Sequence, residues 1–361
     1  MRIFLRFVLA GFCGLWLHGA WACAICAPDD AQGTVANRLR AAQRIVLAQV
    51  HADGKQADVR TTVLGPKQQG VVSIAGWQPG MPAVPGKSAG DLLVLVLHAG
   101  APDWMAMGYL PATRAAWLTA VATSPRLEAG GFASRERMAL FLRDLEDSSP
   151  IVAQVAYDEI ASQPYAVLRA NSAALAASRI AGWLQDPALR PRYPLYYLLL
   201  GLAGTAEDAG IVDAALARPD ALRSAKELSA MLAALVALRG DRGLAWMEQR
   251  YLQNAELADD EVQAALLALS VHGSDGARVT QEQVVAAYRR FIAANPHRAG
   301  FVASDLASWG RWEFAESLAD ALRSKRQQVF ASRYAIVFYL LRNPRPHAKA
   351  LVEALRAEKL L

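Results

Sequence analysis

The sequence predicts an α+β protein that is mostly α: a small N-terminal β barrel or sandwich followed by an α-solenoid of about six helix pairs. Two observations carry that prediction. From residue 41 to 110 the chain consists of short alternating or β-branched apolar runs separated by turn residues. From residue 134 to 361 Ala, Leu, Arg and Glu dominate, apolar residues recur every three or four positions, and the pattern repeats.

Residues 1–22, "MRIFLRFVLAGFCGLWLHGAWA", place Arg2 and Arg6 before an apolar stretch from Phe7 to Leu17 and end in Ala20-Trp21-Ala22. That is the order of an export signal, and the apolar run falls short of the roughly 20 residues of a membrane span. A periplasmic or otherwise exported protein follows. Cleavage after Ala22 leaves Cys23 first, as in a bacterial lipoprotein. Ala20 and the bulky Trp21 stand where lipoprotein signals carry Leu and a small residue, so ordinary cleavage is favoured. Association with a membrane is then expected only if Cys23 is lipidated.

The chain holds 38 Lys and Arg against 33 Asp and Glu; loss of Arg2 and Arg6 lowers the excess from +5 to +3. No basic cluster is dense enough to track a phosphate backbone, which argues against a nucleic-acid partner. Hydrophobic residues make up 54% of the chain, enough for a substantial core.

Residues 23–40 carry the C-x-x-C formed by Cys23 and Cys26. In an oxidising compartment this pair suits a local disulfide; redox chemistry, lipidation, metal binding and intermolecular pairing are the alternatives. Pro28 follows it and no strand precedes it, unlike a motif that opens a helix to stabilise a thiolate. Ala27 stands where haem attachment needs His. Asp29 and Asp30 with His51 or His98 are the nearest further metal donors, but a second close pair of Cys or His is missing, so no metal and no other cofactor is assigned.

In residues 41–110, "RIVLAQV" (44–50), "ADVRTTVLG" (57–65), "GVVSIAGW" (70–77) and "DLLVLVLHAG" (91–100) form a series of four or five strands. "ADGKQ" is a turn, and "QPGMPAVPGKSAG" separates the third strand from the fourth. Residues 111–133 read as a helix and a linker.

The repeated first helices are "IVAQVAYDEIA", "PLYYLLLGLAG", "SAMLAALVALRG", "EVQAALLALSVHG", "GFVASDLASWG" and "YAIVFYLLRN". Their late apolar residues Ile160, Leu202, Leu238, Leu269, Leu306 and Leu340 are 42, 36, 31, 37 and 34 positions apart, about one helical hairpin. A second amphipathic helix such as "AEDAGIVDAALA" follows each, and "RERMALFLRDLED" suits an N-terminal cap. Stacked pairs bury a continuous core.

The segments "SPIVAQVAYDEIA", "DPALRPRYPLYYLLLGLAG" and "LRGDRGLAWMEQRYL" resemble HEAT-like repeats of exported bacterial proteins, over about two thirds of the chain. The resemblance implies binding through a curved surface and transfers no catalytic residue. The N-terminal part is similar to netrin-like and tissue-inhibitor-of-metalloproteinase domains, which start with a cysteine after the signal and continue with strands like "RIVLAQV" and "ADVRTTVLG". That implies an OB-like barrel, although the later cysteine partners of those domains are not in this sequence.

No catalytic residue is assigned. His51, His98, His272, His297 and His347 are scattered one per element, and the sequence contains neither H-E-x-x-H nor G-x-S-x-G. His272 and His297 are expected at helix ends, Asp259, Asp260 and Glu261 at a helix start, and Asp158 or Glu159 against an arginine of a neighbouring repeat. Trp309, Arg311 and Trp312 at a helix-pair turn, and Tyr196 and Tyr197 at a helix start, are the candidate partner-binding residues. Most such aromatics wedge between repeats.

The leading expectation is a non-enzymatic scaffold holding an envelope protein or an extended ligand. Redox or metal handling by Cys23 and Cys26 is the alternative, and a hydrolase with an interdomain site the second.

Overall fold

The computed structural model describes residues 25, 33–75, 88–124, 135–219, 223–275, 278–324 and 329–360. Cys23, Cys26 and most of the Pro/Gly-rich stretch 78–90 lie outside them. The protein is α+β and mostly α, with a five-stranded antiparallel sheet preceding a long series of helices.

The first element among the described residues is a helix that the sequence pattern does not predict, α1 (Val35–Ala41), opened by Thr34, whose hydroxyl accepts the Asn37 N–H. Strands β1 (Arg44–Val50), β2 (Gln56–Leu64), β3 (Val71–Ser73), β4 (Asp91–Leu97) and β5 (Met105–Pro111) follow. They are bonded in the order β3-β2-β1-β4-β5. Just past β3, Ile74 forms a parallel bridge with Trp104, just before β5; Ala75 N–H donates to the Trp104 carbonyl at 2.6 Å and Trp104 N–H to the Ser73 carbonyl at 3.2 Å. The two edges therefore meet, and the sheet closes as a small barrel instead of splitting into a sandwich.

Both faces of the central strands β1 and β4 are covered, whereas β2 and β3 keep exposed residues. Val46, Ala48, Leu93, Leu95 and Trp104 pack inside the curl, while Ile45, Leu47, Val94 and Val96 join the core shared with the helices. Burial on both sides is the physical reason that "RIVLAQV" and "DLLVLVL" read as near-continuous apolar runs.

The helical part contains α2 (Ala115–Thr123), α3 (Arg135–Asp144), α4 (Pro150–Ala161), α5 (Tyr165–Ala170), α6 (Ala177–Trp183), α7 (Tyr193–Ala203) and α8 (Ala209–Ala217). It continues with α9 (Ala225–Arg239), α10 (Asp241–Met247), α11 (Asp259–Asp275), α12 (Gln281–Ala294), α13 (Ala303–Ser308), α14 (Ala315–Arg323), α15 (Phe330–Arg342) and α16 (Pro346–Ala357). The six expected first helices are α4, α7, α9, α11, α13 and α15.

Gly108 on β5 (φ +154°) seats α4 on the barrel, because a Cβ there would stand 3.0 Å from the Ile151 Cβ. Further on, α7 packs on α9 and α9 on α11, while α15 packs on α13 and the 3₁₀ turn Pro296–Val302. Helix α9 is buried along its length, from Glu227 to Leu238, which matches a sequence apolar on all sides.

Three details depart from a uniform repeat. The second helix of the first pair is broken into α5 and α6; the fifth first helix begins as the 3₁₀ turn before α13; and α10 runs into a π turn, Glu248–Leu252. In addition, α5 reaches α11, where Tyr165 meets His272 edge-on at 5.9 Å.

Candidate interaction face

The spacing of "FASRYAIVFYLLR" gives α15 two apolar faces. Ser332, Ile336, Tyr339 and Leu340 are buried on one. Phe330, Tyr334, Phe338 and Leu341 recur at steps of four, four and three on the opposite side, and are 80%, 58%, 52% and 56% exposed. These four account for most of the exposed large hydrophobics among the described residues, and they lie in one continuous stripe. Their rings touch in sequence, Phe330 to Tyr334 at 6.1 Å and Tyr334 to Phe338 at 5.1 Å. Beside them a groove of about 310 Å³ opens toward Arg356 and Leu360, and the Arg333 guanidinium bridges its floor to the Leu360 carbonyl at 2.7 Å.

Sequence reasoning identified α15 as a helix but not its open side. The available signal was a helix apolar all round, normally enclosed by neighbours. Here α16 flanks only one side and no described helix covers the stripe.

The residues singled out in the sequence fall elsewhere. Tyr196 and Tyr197 are buried, which corrects their assignment to a contact surface. The Tyr196 hydroxyl bonds Glu146 and its ring lies 5.0 Å from Trp183. Burial pushes the Tyr197 hydroxyl up to about 12. Trp309 is half-buried, stacked on Tyr288 at 5.7 Å, with its indole N–H donating to Ser274 at 3.2 Å. Trp312 lies 5.2 Å from Tyr339, whose hydroxyl donates to the Arg311 carbonyl at 2.5 Å, and the Arg311 guanidinium pairs with Glu282. This turn thus ties α11, α12, α13 and α15 together. Its aromatics serve as wedges between helix pairs.

The acidic candidates are also engaged. Asp158 accepts the Ala36 N–H of α1 at 3.2 Å and an amide N–H of Gln154 at 2.8 Å, and burial raises its pKa. Glu159 does face an arginine, but it is Arg40 of α1, at 2.7 Å, and not one from a neighbouring repeat. Asp259, Asp260 and Glu261 occupy the first turn of α11 as expected, with Asp259 on Arg298 at 2.6 Å. Asp305 accepts from Tyr288 at 2.6 Å and Ser270 at 2.9 Å; burial raises its pKa against those two bonds.

His272 lies in the last turn of α11, yet its buried ring bonds the Ala233 carbonyl of α9 at 2.9 Å. Burial lowers its pKa from 6.5 to about 4. The unfolded chain therefore takes up a proton that the folded chain refuses. The stability contributed by the neutral ring is complete above pH 6.5 and is lost as pH falls toward 4, by roughly 3 kcal/mol. His272→Gln keeps a donor and cannot titrate, so its urea midpoint is expected to fall less than that of the wild type between about pH 7 and about pH 4.5. Equal falls would show that His272 does not govern this window.

Cys23 and Cys26 lie outside the described residues. Among the described residues no group of three His, Cys, Asp or Glu is placed to hold a metal ion, and no helix is long and apolar enough to cross a membrane. Comparison with protein families, curated proteins and solved structures finds no match to this chain.

Proposed function

We propose that this chain is an exported, periplasmic protein-binding scaffold, in which a HEAT-like α-solenoid presents a docking face for an envelope protein. The observation that carries the reading is the exposed aromatic stripe of α15, set on a helix whose other side is fully packed. The repeat spacing and the stacking of α7, α9 and α11 support the solenoid. The strand order with its closing parallel bridge supports an OB-like barrel at the N-terminus. Hot spots enriched in aromatic residues favour a protein partner over a small solute.

The test is site-specific photocrosslinking in intact cells. A benzoylphenylalanine at position 338 is expected to yield a discrete protein adduct, and one at the exposed Ser304 none. Mass spectrometry of the same preparation is expected to find a mature N-terminus at Cys23. Absence of any adduct from 330, 334 and 338 would sink the scaffold reading.

A further inference from the structure

We propose that the occupant of the α15 face is an amphipathic helix of the partner, apolar toward Phe330, Tyr334, Phe338 and Leu341 and bordered by Asp or Glu. The inference rests on the scaffold reading and names the chemistry of the partner at that same face.

The helix form follows from the array. One first helix shows the pattern: α9 lies between two others, packed on both α7 and α11. Helix α15 packs against α13 and the turn Pro296–Val302 through Ser332, Ile336, Tyr339 and Leu340, and its stripe faces the other way. A helix laid there repeats the packing that α7, α9 and α11 already use. From Phe330 to Leu341 the stripe is three helical turns, about 16 Å, long enough for three side chains of a partner at helical spacing. The groove between α15 and α16 is recessed, so a projecting side chain fills it and a flat lipid surface does not.

The charge follows from the rim. Residues 329–361 contain six Lys or Arg and two Asp or Glu, a net of +4 within a chain of +5. Both acids are occupied, Glu353 with Arg356 at 2.7 Å and Glu358 with Arg323 at 2.9 Å. Arg342, Arg345, Lys349 and Lys359 have no carboxylate partner among the described residues. Arg333 and Arg342 border the stripe on its two sides, and α15 itself carries no acid. A second copy docked through this face would set like charges together, whereas an acid-flanked helix complements both borders.

The experiment uses the mature full-length chain and two stapled helical peptides with the same Leu/Phe stripe, one flanked by Glu and the other by Lys. Fluorescence anisotropy is expected to show the Glu peptide binding at least tenfold more tightly. That preference should shrink at about 0.5 M salt and reverse in the Arg342→Glu/Lys349→Glu variant. Phe338→Ser, an exposed substitution checked by circular dichroism, should weaken both peptides tenfold or more.

Equal binding of the two peptides overturns the charge assignment. Two other results overturn the helix itself: Phe338-dependent binding to vesicles rich in phosphatidylglycerol without peptide binding, or a Phe338-dependent dimer in analytical ultracentrifugation. If the crosslink at 338 forms in cells while neither peptide binds, the scaffold reading stands and this inference falls. Peptide binding without a crosslink overturns the scaffold role in cells and leaves the face with its preference for an acid-flanked helix.

Discussion

Gly300→Ala is expected to cost about 3 kcal/mol, at the upper end for an overpacked site, and to loosen α15 and α16 ahead of the rest of the protein. A Cβ at Gly300 would stand 1.9 Å from the Ser332 carbonyl oxygen and 2.5 Å from its carbon. Both are backbone atoms of α15, so no side-chain rotation relieves the contact. Helix α15 must shift, and the Gly300 N–H to Ser332 Oγ bond of 2.9 Å and the Tyr339 bond to the Arg311 carbonyl are strained with it.

Helix α15 packs on α13, α14, α16 and the turn Pro296–Val302, so the lesion is expected to open that end of the helical part first. Hydrogen exchange should show lost protection in α15 and α16, with α4 and the barrel unchanged. Gly210→Ala is the control: it lies in α8 with open space around its Cβ position and should gain a few tenths to about 1 kcal/mol. Unaltered exchange in α15 of Gly300→Ala would show that the backbone contact is not as close as described.

Removing either partner of Arg40–Glu159 is expected to cost about 3–5 kcal/mol, whereas replacing both together by Met and Leu should restore most of the loss. The Glu159 side chain is 3% exposed and that of Arg40 12%, so the survivor of a single substitution is left as a buried, uncompensated charge. Arg40 also donates from Nε to the Ser124 carbonyl at 3.2 Å, joining α1 to the end of α2. The pair, together with the Ala36 N–H bond to Asp158, fastens α1 to α4. Urea titration of both single variants and the double variant measures it; single variants within about 1 kcal/mol of wild type would refute a tightly coupled buried pair.

These two sites also mark the limits of what periodicity reveals. The short apolar strand runs, the helical character of α9 and the order of the helical segments were legible because local composition and spacing encode them. Helix α1 was not: "VANRLRA" is seven residues long and half polar, and it is held by Asp158 and Glu159 more than a hundred positions later. The closing bridge between Ile74 and Trp104 was equally silent: Ile74 lies in an expected strand whose pattern names no partner, and Trp104 lies outside every expected strand. Trp309 and Trp312 were recognisable as a cluster, but their roles depended on Tyr288, Gly273 and Tyr339, which come from other helices.

The sequence by itself determined an α+β chain, mostly α, with short strands first and paired helices after, because apolar periodicity of two or three to four residues dictates which backbone form buries a face. Tertiary structure alone decided which faces are covered. Tyr196 on α7 and Phe338 on α15 sit in similar aromatic, apolar helices, yet one is enclosed and the other is 52% exposed. Burial belongs to the neighbours of a residue as much as to the residue, and the neighbours of a helix face are set by how pairs stack, which no local pattern records.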